Sequence, residues 1–220
     1  MRPLILIGGG EHAAVVADAA RLQDPVRPLA GFVDPCHPSS ALSGAGLPWL
    51  GGDEEGLRLA RAGQHDFIIA VGAVATGPLR QRLAAGYEAA GARFATIVHP
   101  RAIVAASAIL NPGSLIGAGA IINPRAEVGR HCVVNTGAIV EHDVLLGDHA
   151  VLGPGAIVGG GAEIGTGSFL GLGCRVRDHV RVGRRVLLAM GAVLVGDAPD
   201  DAVMQGVPAR AQEAKRAARA

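Results

Sequence analysis

The sequence predicts a mainly β protein in which a long parallel β-helix follows a small α/β domain of the Rossmann-like kind. The main observation is a six-residue repeat that begins at Ile103 and continues for 96 residues without an insertion. A second observation is that short apolar strands alternate with helices before this repeat. A third is the composition: 50% of the 220 residues are hydrophobic but only 3% are aromatic, so aliphatic side chains must fill the core. Such a core favours a regular, repetitive interior.

Two of the six places define the repeat. The second place is Val, Leu or Ile in all 16 hexads, from Val104 to Leu194, and the sixth place is always Ala, Ser, Cys or Val. One hexad fits one flat side and one corner of a triangular coil, so three hexads make a turn of about 18 residues. The second-place and sixth-place side chains then point inwards, including Cys132 and Cys174. Neighbouring turns pair as parallel strands.

The first 98 residues alternate strands with helices, which is typical of a parallel α/β sheet. We expect strands at Leu4–Ile7, Leu29–Val33, Phe67–Val71 and Phe94–Val98, and helices at Glu11–Leu22 and from Pro78 to Ala90. The first strand runs through three glycines directly into the first helix. Such a turn offers backbone N–H groups and the helix dipole to a phosphate. Asp34 closes the second strand.

Charge and cysteine content argue against several classes of partner. A formal net charge of +1 at pH 7 gives no electrostatic case for nucleic acid or for a membrane surface. No stretch approaches the roughly 18 apolar residues of a membrane span, and we expect the N-terminal apolar run to form a buried strand rather than a signal peptide. Three cysteines are too few and too scattered for a disulfide framework. They fit a reducing cytoplasm, where we expect the protein.

The repeat resembles that of the hexapeptide-repeat acyltransferases, in which an aliphatic residue is followed by Gly and, three places on, by a small residue. This resemblance implies that the parallel β-helix is left-handed. It also implies acetyl-CoA as co-substrate, no metal, and a homotrimer with active sites between neighbouring coils. We therefore expect a nucleotide-sugar-binding domain at residues 1–98, an acyltransferase coil at 99–210 and a C-terminal tail at 211–220, the end of which we expect to form a short solvated helix.

One motif in the coil narrows the resemblance. Residues 135–143 read NTGAIVEHD, which is similar to the NTxxxxEHD segment of the sialic acid O-acetyltransferase-like subfamily. That subfamily includes N-acetyltransferases of nucleotide-linked 4-amino sugars. The resemblance implies that His142 is the general base, that Asp143 orients it and that Asn135 helps to hold the sugar. A neutral imidazole near pH 7 suits such a role, which typically contributes about 10²–10⁴-fold. We expect His142 to project outwards at a corner.

A second motif opens the chain. Residues 8–16 read GGGEHAAVV and resemble the GxGGHAxVV turn of the same subfamily. The resemblance implies a nucleotide-sugar site formed by Gly8, Gly10, His12 and Asp34. The sequence departs from the family in two places, since Glu11 replaces a usual Gly and Ala73 follows Gly72 where the family often has Asn or Asp. Both departures put the usual mode of nucleotide binding in question.

The end of the coil carries a third motif. Residues 206–210 read GVPAR and resemble the sequence that ends the coil beside the CoA adenine in many members of the family. This implies that Arg210 contacts a CoA phosphate. Glycines of the late coils can let the pantetheine lie against the backbone, although most are equally explained as turn glycines; the candidates are Gly153, Gly171 and Gly173.

The predicted reaction is acetyl transfer from acetyl-CoA to the 4-amino group of a nucleotide-linked dideoxy sugar in bacterial surface-glycan biosynthesis. O-acetylation of a sugar or of sialic acid is an alternative, and a non-catalytic scaffold is another. A zinc enzyme is disfavoured, because His131 and His149 stack on successive coils, at the surface, without converging on His142. An NAD-dependent oxidoreductase is disfavoured, because the α/β part is about half of a complete dinucleotide fold.

Overall fold

The structure is a computed structural model that describes residues 1–23, 26–36, 42, 46–72 and 78–212. It contains the two predicted parts, an α/β domain and a three-sided parallel coil. The departure at Ala73 and the helix expected in the tail beyond Gln212 lie outside the described residues.

The α/β domain is one parallel sheet with helices packed on it. Its strands and helices are β1 Leu4–Ile7, α1 Glu11–Leu22, β2 Leu29–Val33, β3 Trp49–Gly51, α2 Asp53–Ala62, β4 Asp66–Ile69, α3 Leu79–Ala89 and β5 Arg93–Phe94. The strand order is β3-β2-β1-β4-β5. The order therefore reverses between β1 and β4, both of which are buried along their whole length. The carboxyl ends of these two strands border the crevice where such sheets bind ligands.

Two elements of the α/β domain, β3 and α2, were not predicted from the sequence. Three acidic residues in the first turn of α2, Asp53 to Glu55, complement the positive end of the helix dipole. Gly63 ends the helix with φ 66°, a left-handed conformation that glycine adopts without strain, and its N–H donates to the carbonyl of Ala60. These end signals are legible in the sequence. The strand β3 has three residues, too few to show a period.

The coil is made of short strands joined by corners. They are β6 Ile97–Val98, β7 Ile103–Val104, β8 Ile109–Leu110, β9 Leu115–Ile116, β10 Ile121–Ile122, β11 Glu127–Val128, β12 Val133–Val134, β13 Ile139–Val140, β14 Leu145–Leu146, β15 Val151–Leu152, β16 Ile157–Val158, β17 Glu163–Ile164, β18 Phe169–Leu170, β19 Arg175–Val176, β20 Arg181–Val182, β21 Leu187–Leu188, β22 Val193–Leu194, β23 Val203–Gln205 and β24 Arg210–Ala211. From β6 to β22, paired strands are parallel and lie 18 residues apart, as Ile121 and Ile139 do. At the end of the coil, β21 pairs with β23 through Leu187 and Val203, and β24 pairs with β23 in the antiparallel sense. The predicted 18-residue turn is confirmed.

Three sheets form the three faces of the coil. The domain face holds β6, β9, β12, β15, β18, β21, β23 and β24; the apolar face holds β7, β10, β13, β16, β19 and β22; the charged face holds β8, β11, β14, β17 and β20. The first corner follows the domain face, the second corner follows the apolar face, and the third corner follows the charged face. Second-place and sixth-place side chains fill the interior, and Cys132 and Cys174 are fully buried as predicted.

The strand expected at Phe94–Val98 is in fact two strands in different sheets. Residues Arg93–Phe94 pair with β4, whereas Ile97–Val98 pair with β9 of the coil. Residues 97–102 read IVHPRA and obey the hexad rule, with Val98 in the second place and Ala102 in the sixth. The coil therefore begins one hexad before Ile103.

The α/β domain packs on the domain face of its own coil. Outward side chains of this face, among them Leu115 and Val133, are buried in one cluster with Val16 of α1. The buried Arg80 of α3 adds a polar link, since its guanidinium donates to the carbonyl oxygens of Val71 at 2.7 Å and His131 at 3.3 Å. The two parts are thus joined by both apolar and hydrogen-bonded contacts.

The histidines of the third corner are stacked as predicted, with the rings of His131 and His149 5.1 Å apart at 12°. The expected surface position is wrong for His131, which is 1% exposed because α3 and β5 cover it, whereas His149 is half-buried. The Nε2 of His131 lies 3.0 Å from a carboxylate oxygen of Glu88, and the ring of Phe94 meets it edge-on at 4.5 Å. His131 is thus an internal contact between the two domains.

Candidate functional site

His142 stands at the second corner, between β13 and β14, with 55% of its side chain exposed. It is the fourth residue of its hexad, and it projects outwards as the repeat predicted. Its Nδ1–H donates to Oδ2 of Asp143 at 2.8 Å. Since a carboxylate only accepts hydrogen bonds, this contact assigns the ring proton to Nδ1. Nε2 is then the basic atom, and it belongs to a side chain that solvent reaches.

Arg125 holds Asp143 from the preceding coil. Its Nε donates to Oδ1 at 2.6 Å and its terminal nitrogen donates to Oδ2 at 2.7 Å, so that the fork of the guanidinium matches both carboxylate oxygens. The Arg125 guanidinium, with His142 second, holds the pKa of the Asp143 carboxyl well below its usual range. Asp143 is therefore a carboxylate throughout the range in which an imidazole titrates.

Gly160 supports the imidazole of His142 from the following coil. A Cβ at this glycine would lie 2.7 Å from both Cε1 and Nε2 of His142, too close for the ring to stay where it is. Only a glycine therefore leaves room for the ring in this position. Neither Gly160 nor Arg125 was predicted from the sequence, although each lies one coil of 18 residues from a catalytic candidate, a spacing that the repeat marks.

The predicted nucleotide-sugar residues gather at the carboxyl edge of the α/β sheet. Asp34 organises this edge, since one carboxylate oxygen accepts the N–H of Gly9 at 2.7 Å and the other accepts the N–H of Cys36 at 2.9 Å. Gly8 has φ 108°, and a Cβ there would lie 2.7 Å from Cγ2 of Val71. Gly10 is the N-cap of α1 and has no side-chain cap. The turn after β1 is thus fixed by Asp34 and admits only glycine at position 8.

His12 lies beside this turn, at the start of α1. Burial, reinforced by the positive charge of Arg80, lowers the pKa of His12 to about 4, so its imidazole is neutral near pH 7. Its Nε2 is buried and has no hydrogen-bond partner among the residues that the structure describes. Glu11, one of the two departures from the family pattern, is exposed in the first helical turn.

Asn135 lies at the first corner, where it is separated from His142 by β13. Its side-chain oxygen accepts the N–H of Thr136 at 2.8 Å. The apolar face therefore starts at the corner that carries Asn135 and ends at the corner that carries His142. A single chain does not bring these two side chains together.

Two of the glycines predicted to contact CoA have a structural role that requires no ligand. A Cβ on Gly153 would lie 2.9 Å from the nitrogen of Leu172, and one on Gly171 would lie 2.6 Å from the nitrogen of Met190. Both glycines are therefore required by the close approach of successive coils. Gly173 has φ 63° at the first corner. Arg210 is exposed in β24, at the C-terminal end of the domain face.

The charged face carries a surface cavity of about 740 Å³ that contains none of the predicted residues. Third-place glycines form part of its lining, and its charged side chains pair with one another, as Arg181 does with Glu163 at 3.0 Å. Within the described part of the chain, no group of three or more His, Cys, Asp or Glu side chains is placed to hold a metal ion. No helix in the described ranges is long and apolar enough to cross a membrane.

Comparisons with known proteins agree with both parts of the fold. The family model of the PglD N-terminal domain matches residues 3–85. PerB from Caulobacter crescentus, solved in complex with CoA and GDP-perosamine, is 33% identical with a TM-score of 0.85, over 96% of this chain and 97% of that one. A variant of GDP-perosamine N-acetyl transferase from the same organism is 32% identical with a TM-score of 0.87, over the same shares of both chains.

Two further structures extend this likeness. The acetyltransferase domain of PglB from Neisseria gonorrhoeae FA1090, in complex with acetyl coenzyme A, is 30% identical with a TM-score of 0.79, over 96% of this chain and 99% of that one. WeeI from Acinetobacter baumannii AYE shares the fold at 20% identity and a TM-score of 0.76, over 96% of this chain and all, 100%, of that one. No curated protein sequence matches the chain significantly.

Proposed function

Because the chain belongs to the hexapeptide-repeat acetyltransferases of the NeuD/PglD type, we propose that it transfers an acetyl group from acetyl-CoA to the 4-amino group of a nucleotide-linked dideoxy sugar. The observation that carries this proposal is the hydrogen bond from His142 to Asp143, which leaves a basic nitrogen on an exposed coil corner. Acyl transfer to an amine requires such a group, because the amine must lose a proton as it attacks the thioester.

The reaction follows from this arrangement. The amine nitrogen attacks the thioester carbon of acetyl-CoA while Nε2 of His142 accepts a proton from the amine. Asp143 stabilises the imidazolium that forms and keeps the ring oriented. Backbone N–H groups of the groove between neighbouring β-helices stabilise the oxyanion of the tetrahedral intermediate. The carbon–sulfur bond then breaks, and the imidazolium returns its proton to the departing thiolate of CoA, which leaves an amide and free thiol.

In this proposal the nucleotide sugar binds at the α/β domain. We assign nucleotide-sugar binding to the α/β domain, whose last strand is β5, and acyl transfer to the coil, which begins at Ile97. GDP-perosamine is the first acceptor to test, because it occupies the Caulobacter relatives that are about one-third identical. A neutral His12 beside the glycine turn, with a buried Nε2 that has no partner among the described residues, supports a ligand at this edge. The three free cysteines support a reducing compartment, which for an acetyl-CoA-dependent enzyme is the cytoplasm.

The active enzyme is a trimer in this proposal. Five of the six outward first-place residues of the apolar face are aliphatic, and Ile103 among them is 64% exposed. Such a face favours contact with another apolar surface. Because it runs from the first corner to the second, its packing between copies brings Asn135 of one copy towards His142 of the next. We expect a solution mass of three times 22.2 kDa in light scattering.

The test is thiol release from acetyl-CoA by the purified protein. The acceptors are GDP-perosamine, UDP- and dTDP-linked 4-amino-4,6-dideoxy sugars and free sialic acid. We expect turnover with an amino sugar and its loss, by about 10²–10⁴-fold, in His142→Asn. His179→Asn is the matched control, because His179 is an exposed histidine of the same corner, two coils further on.

Each other outcome assigns a different function. Turnover with sialic acid alone would identify an O-acetyltransferase. Full activity of His142→Asn with an amino sugar would remove the proposed base. No thiol release with any acceptor would contradict the proposed reaction and favour a scaffold.

A further inference from the structure

The Arg125–Asp143 pair has a role that rests on the proposed function of His142. Asp143 is 43% exposed and Arg125 is 64% exposed, so an isolated ion pair between them would contribute little to stability. Its location is what matters, because Oδ2 of Asp143 accepts hydrogen bonds from Arg125 and from His142 at once. The arginine therefore acts on the carboxylate that orients the imidazole.

We propose that Arg125 is a positioning residue for the His142 base: it fixes the plane of the Asp143 carboxylate, and the carboxylate fixes the ring. An exposed carboxylate rotates about its last side-chain bond and exchanges its partners with water. The two-pronged contact of the guanidinium at 2.6 and 2.7 Å removes this freedom. Oδ2 is then held 2.8 Å from Nδ1, which keeps the proton on Nδ1 and the lone pair on Nε2.

The coil itself aligns the two partners. Arg125 and Asp143 occupy the fifth place of successive coils, and their φ angles are 62° and 59°. The same backbone conformation on two successive coils directs both side chains from the same corner. The backbone N–H of Arg125 donates to the hydroxyl of Ser107 one coil earlier at 3.2 Å, which ties the arginine to the coil below. A change at position 125 thus alters the support of the base and leaves the base itself intact.

Arg125 also brings a charge to the site. At this corner the coil above contributes only glycines, residues 159–161, and the coil below contributes Arg125 as its one charged residue. On the coil of His142 itself, the charged neighbours are Glu141 and Asp143. Arg125 is therefore the cation that the preceding coil places against the Asp143 carboxylate.

A second arginine–aspartate pair, on later turns of the β-helix, supplies a matched control. Arg185 donates to Asp201 with the same fork and the same distances, 2.6 and 2.7 Å, and both residues have positive φ angles. Asp201 makes no hydrogen bond to a histidine among the described residues. Removal of Arg185 therefore measures what the loss of such a pair does by itself.

The experiment compares Arg125→Gln with Arg185→Gln in the thiol-release assay. We expect Arg125→Gln to lower kcat about 10-fold, a part of what the base contributes, with KM for both substrates within about two-fold of wild type. Arg185→Gln should match wild type in kcat and KM. A wild-type kcat for Arg125→Gln, with His142→Asn inactive, would overturn this role and leave the proposed function standing.

A readout without turnover separates the two ideas further. Nitrogen-15 NMR of the His142 imidazole should show the Nδ1–H tautomer in wild type and in Arg185→Gln, and a mixture of tautomers in Arg125→Gln. This measurement needs no substrate, so it tests the positioning even if no acceptor is turned over. Identical imidazole signals in all three proteins would contradict the inference.

Discussion

The second and third corners of the coil both carry histidines, yet they place them in opposite surroundings. At the second corner, His142 is half exposed and its Nδ1 is bound to a carboxylate that an arginine keeps ionised. At the third corner, His131 is buried beneath α3 and stacked on His149. The residue type is the same, but His142 takes the fourth place of its hexad, whereas His131 and His149 take the fifth place with φ angles of 57° and 60°. The cover differs as well, because the α/β domain closes the third corner over His131 and leaves the second corner open.

This comparison separates a group that can do chemistry from a group that joins domains. A base needs a fixed tautomer and access to substrate, and only the second corner offers both. The third corner offers ring stacking and an internal contact with Glu88, and burial lowers the pKa of His131, so this imidazole is neutral in the folded protein near pH 7. The three predictions below each change one side of the comparison.

The largest effect is expected at Gly160. In Gly160→Ala, the new methyl group would lie 2.7 Å from Nε2 and Cε1 of His142, so the ring must move. A displacement of about 1 Å at a reacting group can cost about 10²-fold in rate, and we expect a loss of this size in kcat. Thiol release measures it. Gly196→Ala is the control, because Gly196 occupies the same place two coils on and its Cβ would meet nothing within 4 Å. Equal kcat for both variants would contradict the steric argument.

Most of the coil could be predicted from the sequence, because one rule repeats. The inward second place and the small sixth place determined the strands, the 18-residue turn and the burial of Cys132. The α/β domain has no such repetition. In that domain β3 and α2 were not predicted, since a three-residue strand has no period and α2 is marked only by its ends. The same rule, applied one hexad earlier, would also have assigned Ile97 to the coil.

The site was predictable only in part. The motif indicated His142 and Asp143, and the repeat predicted that His142 points outwards. Arg125 and Gly160 lie outside the motif, each 18 residues from one of its members, so they meet it only through contacts between successive coils. The burial of His131 was missed for another reason. It depends on how the α/β domain packs on the coil, and no local pattern encodes that packing.

The next effect concerns the covered corner. In His131→Asn, the side chain loses its stack on His149 and its edge contact with Phe94, and a space remains beneath α3. Asparagine tolerates the positive φ of 57° at this position, so the backbone is not the cause of any change. We expect the free energy of unfolding to fall by about 2 kcal/mol in chemical denaturation. His179→Asn has the same kind of backbone, with φ 55°, on an exposed residue, and should unfold as wild type does. Equal free energies of unfolding for the two variants would show that the contacts of His131 beneath α3 do not stabilise the protein.

The smallest effect is a pH dependence of stability that arises at the third corner. Burial, with the nearby His131 and Arg80, lowers the pKa of His149 to about 4. The carboxylates of Asp148 and Glu88 act in the opposite direction and raise this pKa by less. An unfolded imidazole has a pKa of about 6.5, so below that pH the unfolded chain binds more protons than the folded one. The stabilisation is therefore complete above about pH 6.5 and is lost as the pH falls towards 4.

His149→Asn tests this assignment by thermal unfolding at pH 7.5 and at pH 5. Wild type should lose Tm between these values, and the variant should lose less, by on the order of 2–4 °C for a chain of this size. The effect is small because His149 is only partly covered and water screens its charge. His179→Asn should keep the wild-type difference, since His179 is exposed. An undiminished loss of Tm in His149→Asn would assign the acid sensitivity to another buried imidazole, and His12, whose pKa is also about 4, would be the next to change.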